Sequence, residues 1–362
     1  MRKLRTGLIG CGKVGHLHAV ALAALPESQF VAVCGRSLEK AGPFAAKYGV
    51  KAYTDVSQMV KEEKLDVVCM CTPHPEHASP TIAALRAGVH VIVEKPLAST
   101  LADCDAMLAA AQASGAKLGM VCQRRFYPPC QRIRKAIDAG KLDQPVLGTV
   151  VMFGWRDEAY YKSDPWRGSW KGEGGGVLVN QSPHQLDLLL WYLGEIDEVF
   201  GYWGNLNHPY IEVEDTAVAV VRFKSGALGN IIVSNSQNPA IHARVSVHGS
   251  NGASVGVQTD GGAMFVAGQT GVIEPPYNDI WTVPGEEAQL PVWKAEDAQL
   301  FGSVNPMEYF HRLQIQDFLQ SIIEGRPPSI SGQEGRDVVA LFTAIYRATR
   351  DHRAVKFPLS AE

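Results

Sequence analysis

Charge of one sign is what this chain most plainly lacks. Its 34 Lys and Arg stand against 37 Asp and Glu over 362 residues, a formal net charge of -3. That gives no bulk attraction to a polyanion, so no nucleic-acid partner is expected. Long apolar runs are missing too: nothing reads as the roughly 18 apolar residues that span a bilayer, so no membrane partner is expected. The basic start at Arg2, Lys3 and Arg5, with apolar residues after it, invites comparison with an export signal. Lys13, His16 and His18 interrupt the apolar core such a signal needs. Cysteine is sparse, and the 7 present are an odd number without disulfide-scaffold density. They suit reduced thiols and a cytoplasmic setting. With no internal repeat and no low-complexity tract, the length suggests about two domains, each able to bury a core.

Residues 4–9 form a short apolar run. Gly10, Cys11, Gly12, Lys13, Val14 and Gly15 follow, and then an alanine- and leucine-rich helix. Strand, glycine turn and helix in that order suit a dinucleotide. The glycines permit a tight turn and close approach of backbone to a pyrophosphate at the helix amino end. These six residues are the first cofactor-binding candidates. The second strand ends at Gly35, Arg36 and Ser37, where an NAD-specific site carries an acid for the ribose hydroxyls. Arg36 and Ser37 instead suit a 2'-phosphate, which favours NADP over NAD, unless Arg36 stacks on the adenine.

A helix over 38–48, a strand over 66–71, a helix over 78–87 and a strand over 89–93 continue the alternation. Cys69, Cys71, His74 and His77 cluster in sequence, but match no ligand spacing, and no metal is expected. Thr72, Pro73 and His77 are assigned to the cofactor, Thr72 and His77 facing its ribose or nicotinamide, or else capping the next helix. Val91, Ile92 and Val93 drive a buried strand into Glu94, Lys95 and Pro96, at the carboxyl edge where open parallel sheets bind ligands. An amine there, partly out of water and near an oxidised nicotinamide, has its pKa lowered and can accept a proton. Lys95 is therefore the candidate acid-base group, with Glu94 beside the cofactor. A helix over 101–114 and a strand over 117–122 close a first domain at 1–123. Arg124 and Arg125 open a second at 124–362, touching substrate or cofactor or lying at the surface near a linker.

Beyond 145 the pattern turns to strands, near 146–153, 198–203, 216–223, 228–234, 243–248 and 253–257, with turn signals between them. A mainly antiparallel sheet with helices on one face leaves the other needing a partner, so a homodimer or homotetramer through this sheet is expected. The stretch 268–306, rich in Gly, Pro and acids, reads as a long excursion over a site. Before that, Gly174, Gly175 and Gly176 lead into Asn180, His184 and Asp187 at helical spacing, an amide, an imidazole and a carboxylate on one face. Pro183 falls inside this helix and bends its first turns. Trp155, Arg156, Tyr160, Tyr161, Trp166, Arg167 and Trp170 crowd the preceding stretch, and suit a polyhydroxylated ring as well as they suit packing or an interface.

Taken together, the fingerprint from Gly10 to Gly15, the triplet Glu94, Lys95 and Pro96, the three glycines from Gly174, and His184 with Asp187 resemble the Gfo/Idh/MocA family over nearly the whole chain. The resemblance implies an α/β Rossmann domain followed by an α+β domain with a large, mainly antiparallel sheet. It also implies hydride transfer between nicotinamide and a secondary alcohol or ketone of a sugar, inositol or related polyol. Lys95 would transfer the proton and His184 assist. The family often places an acid four residues before that histidine. Asn180 stands there instead, and an amide orients a hydroxyl but takes no proton. Two other readings compete. One is glycoside cleavage by transient oxidation with a recycled nicotinamide. The other is a non-catalytic dinucleotide sensor, which has no need of Lys95 and His184.

Overall fold

Six short strands, each returned to the same edge by a helical crossover, build the first sheet of this computed structural model, which describes residues 3–261 and 274–361. In chain order they are β1 (Leu4–Ile9), α1 (Lys13–Ala24), β2 (Ser28–Cys34), α2 (Leu38–Tyr48), β3 (Lys51–Tyr53), α3 (Val56–Glu63), β4 (Val67–Met70), α4 (Ala78–Arg86), β5 (His90–Val93), α5 (Leu101–Ser114) and β6 (Leu118–Met120). The strand order β3-β2-β1-β4-β5-β6 is parallel throughout and reverses direction between β1 and β4, where doubly wound sheets open a ligand crevice. Local chemistry sets the helix ends. Thr100 accepts a hydrogen bond from the Asp103 N–H at the start of α5, and Gly115 closes it at φ 70.

The first compact unit takes in Met1–Gln123, Pro306–Val339 and Ala361–Glu362. The sequence groups residues 306–339 with the second domain at 124–362. Packing reassigns them: in α11, below, Ile315, Phe318 and Leu319 repeat at helical spacing and join the buried cluster of Leu4, Leu8, Leu22 and Val67.

The second unit, Arg124–Asn305 with Ala340–Ser360, comprises α6 (Pro128–Asp138), β7 (Pro145–Phe153), α7 (Glu158–Lys162), α8 (Trp170–Glu173), a π-helical turn (Val177–Gln181), α9 (Pro183–Leu193), β8 (Ile196–Gly204), β9 (Thr216–Phe223), β10 (Leu228–Ser234), β11 (His242–Gly249), β12 (Ser254–Gly261), β13 (Tyr277–Trp281) and α10 (Gln289–Ser303). Then come α11 (Pro306–Glu324), α12 (Gly332–Asp351), within which the division between units falls, and β14 (Val355–Lys356). Among the described residues its sheet has eight strands, ordered β13-β12-β11-β7-β10-β9-β8-β14 and antiparallel except for the parallel pair β7 and β10. Gly148 on β7 makes room for Leu189 and Leu193, so α9 covers one face. On β9 burial alternates strictly, and its outward side chains include Val218 and Val220.

The expected excursion over 268–306 is not irregular where it is described: residues 274–305 contain β13 and α10, while 268–273 lie outside the described residues. Among the described residues no helix is long and apolar enough to cross a membrane.

Candidate active site

Parallel register sets the geometry of the first unit. Ile9, Met70 and Val93 lie at one level of the sheet, so Gly10, Cys71 and Glu94 leave it together at its carboxyl edge. The glycine turn and Lys95 are thus separated by about two strand spacings, on the order of 10 Å. At Gly10, φ +110, a Cβ would stand 2.4 Å from the Cys71 carbonyl oxygen, and a Cβ on Gly15 would stand 2.3 Å from that of Gly10. These two glycines close the turn. Gly12 differs: a Cβ there meets nothing within 4 Å, and as the residue capping α1 it brings no side-chain hydrogen bond. The first N–H groups of α1 are therefore open to an anion, and the turn fits a dinucleotide pyrophosphate. Lys13 is exposed and Val14 half-buried beside it. Half-buried Cys11 sits with Sγ 3.8 Å from the Cys34 carbonyl oxygen, its thiol pushed up by burial. Arg36 is exposed past β2, and Ser37 precedes α2 without capping it.

Of the residues expected at the cofactor, His77, Thr72 and Glu94 have partners within the protein. His77 is buried, with Nε2 2.9 Å from the Thr72 carbonyl oxygen and Nδ1 3.0 Å from that of Pro96; burial lowers its pKa, and the neutral ring donates to one of the two. Thr72 turns its hydroxyl to the Glu76 carbonyl at 3.1 Å, while Pro73 leads into the short turn His74–Glu76. The Glu94 carboxylate accepts from His18 Nε2 at 2.8 Å and from the Lys95 N–H at 3.2 Å, and His311 Nε2 lies 3.5 Å away. Burial opposes its charge, but the bonds from His18 and His311 prevail and hold it well below the usual carboxylate range. His18, from α1, and His311, from α11, are linked to the triplet by no sequence spacing. Lys95 itself is half-buried.

In the second unit the glycine loop rests on a buried acid. Glu214 accepts from the Gly176 N–H at 2.8 Å, the Leu178 N–H at 2.9 Å and the Tyr346 hydroxyl at 2.8 Å. Burial lifts its carboxyl to about 7 against those donors. The π-helical turn corrects the single helical face expected for Asn180, His184 and Asp187. Pro183 begins α9 rather than bending it, and Asn180 lies in the turn before. Asp187 is fully buried in a two-pronged pair with Arg125, at 2.8 and 2.6 Å, so it is a structural ion pair and not a substrate contact. His184 is buried on the first turn of α9.

The carboxylate absent at position 180 is present in space. Glu173, also buried, accepts from Asn180 Nδ2 and from the Gly168 N–H at 2.6 Å. Tyr160 joins this group, its hydroxyl 3.1 Å from Asn180 Nδ2 and bonded by Arg167. The guanidinium of Arg156 lies 5.0 Å from the Tyr160 ring, and that of Arg167 lies 4.3 Å from both Tyr160 and Trp166. Trp155 packs on His208, which bridges the Asp215 carboxylate and the Arg156 carbonyl, each at 2.8 Å. Buried Tyr161 receives Asn235 Nδ2 at 3.5 Å, and Arg124 pairs with Asp260 at 2.8 Å. Trp170 packs edge-on to Trp203 and Tyr346. Arg156, Arg167, Tyr160 and Asn180 therefore form one cluster around a phenol, whereas Asp187 and Trp170 belong to packing.

Residues 4–121 match the model of an oxidoreductase family with an NAD-binding Rossmann fold, and residues 130–255 match the GFO/IDH/MocA C-terminal domain. The myo-inositol 2-dehydrogenase of Thermotoga maritima is 26% identical over 358 residues, 98% of each chain. A 1,5-anhydro-D-fructose reductase of Ensifer adhaerens is 27% identical over 360 residues, 97% of this chain and 98% of its own. The WlbA dehydrogenase of Bordetella pertussis, solved with NADH and UDP-GlcNAcA, superposes with a TM-score of 0.87 at 29% identity over 99% of both chains. A fingerprint turn open at Gly12, a parallel sheet reversing beside it, and both halves matched in order lead to one conclusion: the chain belongs to the Gfo/Idh/MocA oxidoreductases, with an NAD-binding Rossmann domain.

Proposed function

We propose that this protein moves a hydride between nicotinamide and a ring secondary alcohol or ketone of a sugar, inositol or related polyol. Lys95 is the proton donor and acceptor, and His184 assists. One observation carries the reading: Lys95 leaves β5 at the level where the glycine turn leaves β1, two strands away at the same edge. The relatives named for myo-inositol and 1,5-anhydro-D-fructose, and the neighbour holding UDP-GlcNAcA, support a polyhydroxylated ring as substrate.

When bound, the nicotinamide accepts or supplies the hydride. Lys95 takes the hydroxyl proton as the alcohol is oxidised, or returns one as a ketone is reduced. His184 hydrogen-bonds the same hydroxyl or its neighbour. Glu173 and the Tyr160 hydroxyl hold the Asn180 amide, which orients a substrate hydroxyl. Arg156, Arg167 and Trp166 offer guanidinium and aromatic surface to the ring. The exposed Tyr202, Val218 and Val220 support self-association through the sheet of the second unit.

The test is absorbance of the nicotinamide with a panel of sugars, inositols, keto-sugars and nucleotide-sugar acids, run with NAD and NADP in parallel. Wild type should turn over at least one member. Arg36 should make NADP the better cofactor. Lys95→Ala should lose turnover by about 100-fold or more while still binding nucleotide. Undiminished turnover in that variant removes Lys95 from the mechanism. Release of an aglycone without net change in cofactor, or binding without turnover across the panel, replaces the reading with glycoside cleavage or with sensing.

A further inference from the structure

We infer that three buried histidines, His18, His77 and His311, are positioning residues that clamp the backbone on both sides of Lys95. The inference rests on the reading of Lys95 given above. All its contacts lie within the first unit. On the amino side, one Glu94 oxygen receives His18 Nε2 at 2.8 Å and faces His311 Nε2 at 3.5 Å, while the other receives the Lys95 N–H at 3.2 Å. On the carboxyl side, His77 Nδ1 stands 3.0 Å from the Pro96 carbonyl oxygen and 3.3 Å from that of Leu97, and its Nε2 reaches the Thr72 carbonyl at 2.9 Å. The rings are 0%, 0% and 3% exposed for His18, His77 and His311, so none of these bonds competes with bulk water.

Proton inventory makes the pairing directional. His311 Nδ1 is 2.6 Å from the Met307 carbonyl and donates there, which fixes the ring with Nε2 facing the Glu94 carboxylate. His18 then donates through Nε2 as a neutral ring. Its Nδ1 has no hydrogen-bond partner. The same atoms lie close enough to ligate a cation, but the 2.8 Å between His18 and Glu94 is hydrogen-bond distance. Ligands at about 2.0 to 2.1 Å from a tetrahedral zinc stand about 3.3 Å apart. A reacting amine misplaced by about 1 Å costs on the order of 100-fold, so holding this segment bears directly on rate.

The experiment needs no identified substrate. Reductive methylation with formaldehyde and cyanoborohydride, read by peptide mass spectrometry, follows Lys95, with exposed Lys162 as internal control. NAD affinity, melting temperature and metal content are measured alongside. In His311→Ala and His77→Ala the Lys95 rate should rise roughly threefold or more, as for a segment whose local opening is easier, with Lys162 unchanged. His311→Gln, which keeps a donor near the Nε2 position, should restore the wild-type rate, and His311→Asn should not. Unchanged or slower Lys95 labelling overturns the inference. So does a stoichiometric metal that is lost in the variants. Turnover by Lys95→Ala would fell the functional reading separately, since the labelling still reports whether the histidines hold the segment.

Discussion

The two glycine turns of this chain use the same residue for opposite ends. A Cβ on Gly12 would meet nothing within 4 Å, and α1 begins there without a side-chain cap. Around Gly176 there is no room at all, since a Cβ would fall 1.8 Å from the Glu214 carbonyl oxygen, and at Gly175, φ +152, it would fall 2.4 Å from the Tyr346 hydroxyl. The first turn is shaped to receive and the second to pack. A glycine cluster therefore marks close backbone approach, and only its surroundings say whether the approaching group is a ligand or the protein itself.

The strongest way to break this comparison is Gly176→Ala. Backbone cannot yield as a flexible side chain can, so a loss of about 3 kcal/mol or more is expected. It should appear as insoluble protein or a melting temperature lower by about 6–12 °C. An unshifted melt would show that the loop does not pack against Glu214. Next in size is a pH effect on that same acid. Its carboxyl is raised from 4.5 to about 7 in the folded state, so the native protein holds a proton that the unfolded chain releases above 4.5. Stability from this group is full below about 4.5 and is lost as pH rises to about 7, up to about 3 kcal/mol in all. Melting curves from pH 4.5 to 8 should show the fall, and Glu214→Gln should flatten it.

A smaller, opposite response is expected at the open turn. Gly12→Asp puts a good cap on α1 and a negative charge where phosphates would lie. The melting temperature without nucleotide should hold or rise slightly, while NAD affinity by fluorescence titration drops about tenfold or more. Equal loss of both would make the two turns alike. The smallest effect on the fold concerns the exposed sheet face, where Tyr202 is 60% and Val220 57% exposed. Val220→Lys should leave the melt within about 0.5 kcal/mol of wild type and lower the mass found by light scattering. A monomeric wild type would sink the proposed assembly.

Most of the alternation of strand and helix through 122 was legible, the strands as short apolar runs and helices such as α1 and α5 as alanine-rich stretches without breakers, whereas α3 went unread. Of the eight described strands of the second sheet, β7 to β12 were legible from alternation and turn signals, while β13 and β14 were not. What escaped was short or non-local. β3, with three residues, is too brief to carry a period. α10 lies in a stretch whose composition reads as irregular, and its buried residues are only Asp297 and Phe301. Asn180 and His184 share helical spacing on paper, yet a π-helical turn and Pro183 at the first helical position separate them. Asp187 looked chemical because a carboxylate near a histidine invites that reading. Its partner Arg125 lies 62 residues away, and that pairing turned it into structure.

The fold class, the fingerprint and the placing of Lys95 at a strand end were all determined by the sequence itself, because each depends on residues adjacent or periodic along the chain. Which acids lean on which backbone was decided by tertiary structure alone. Glu94 meets His18 and His311, Glu173 meets Asn180, and Glu214 lies under the second glycine loop. The physical reason is that a buried carboxylate must find donors wherever folding brings them, and no spacing along the chain records where that is.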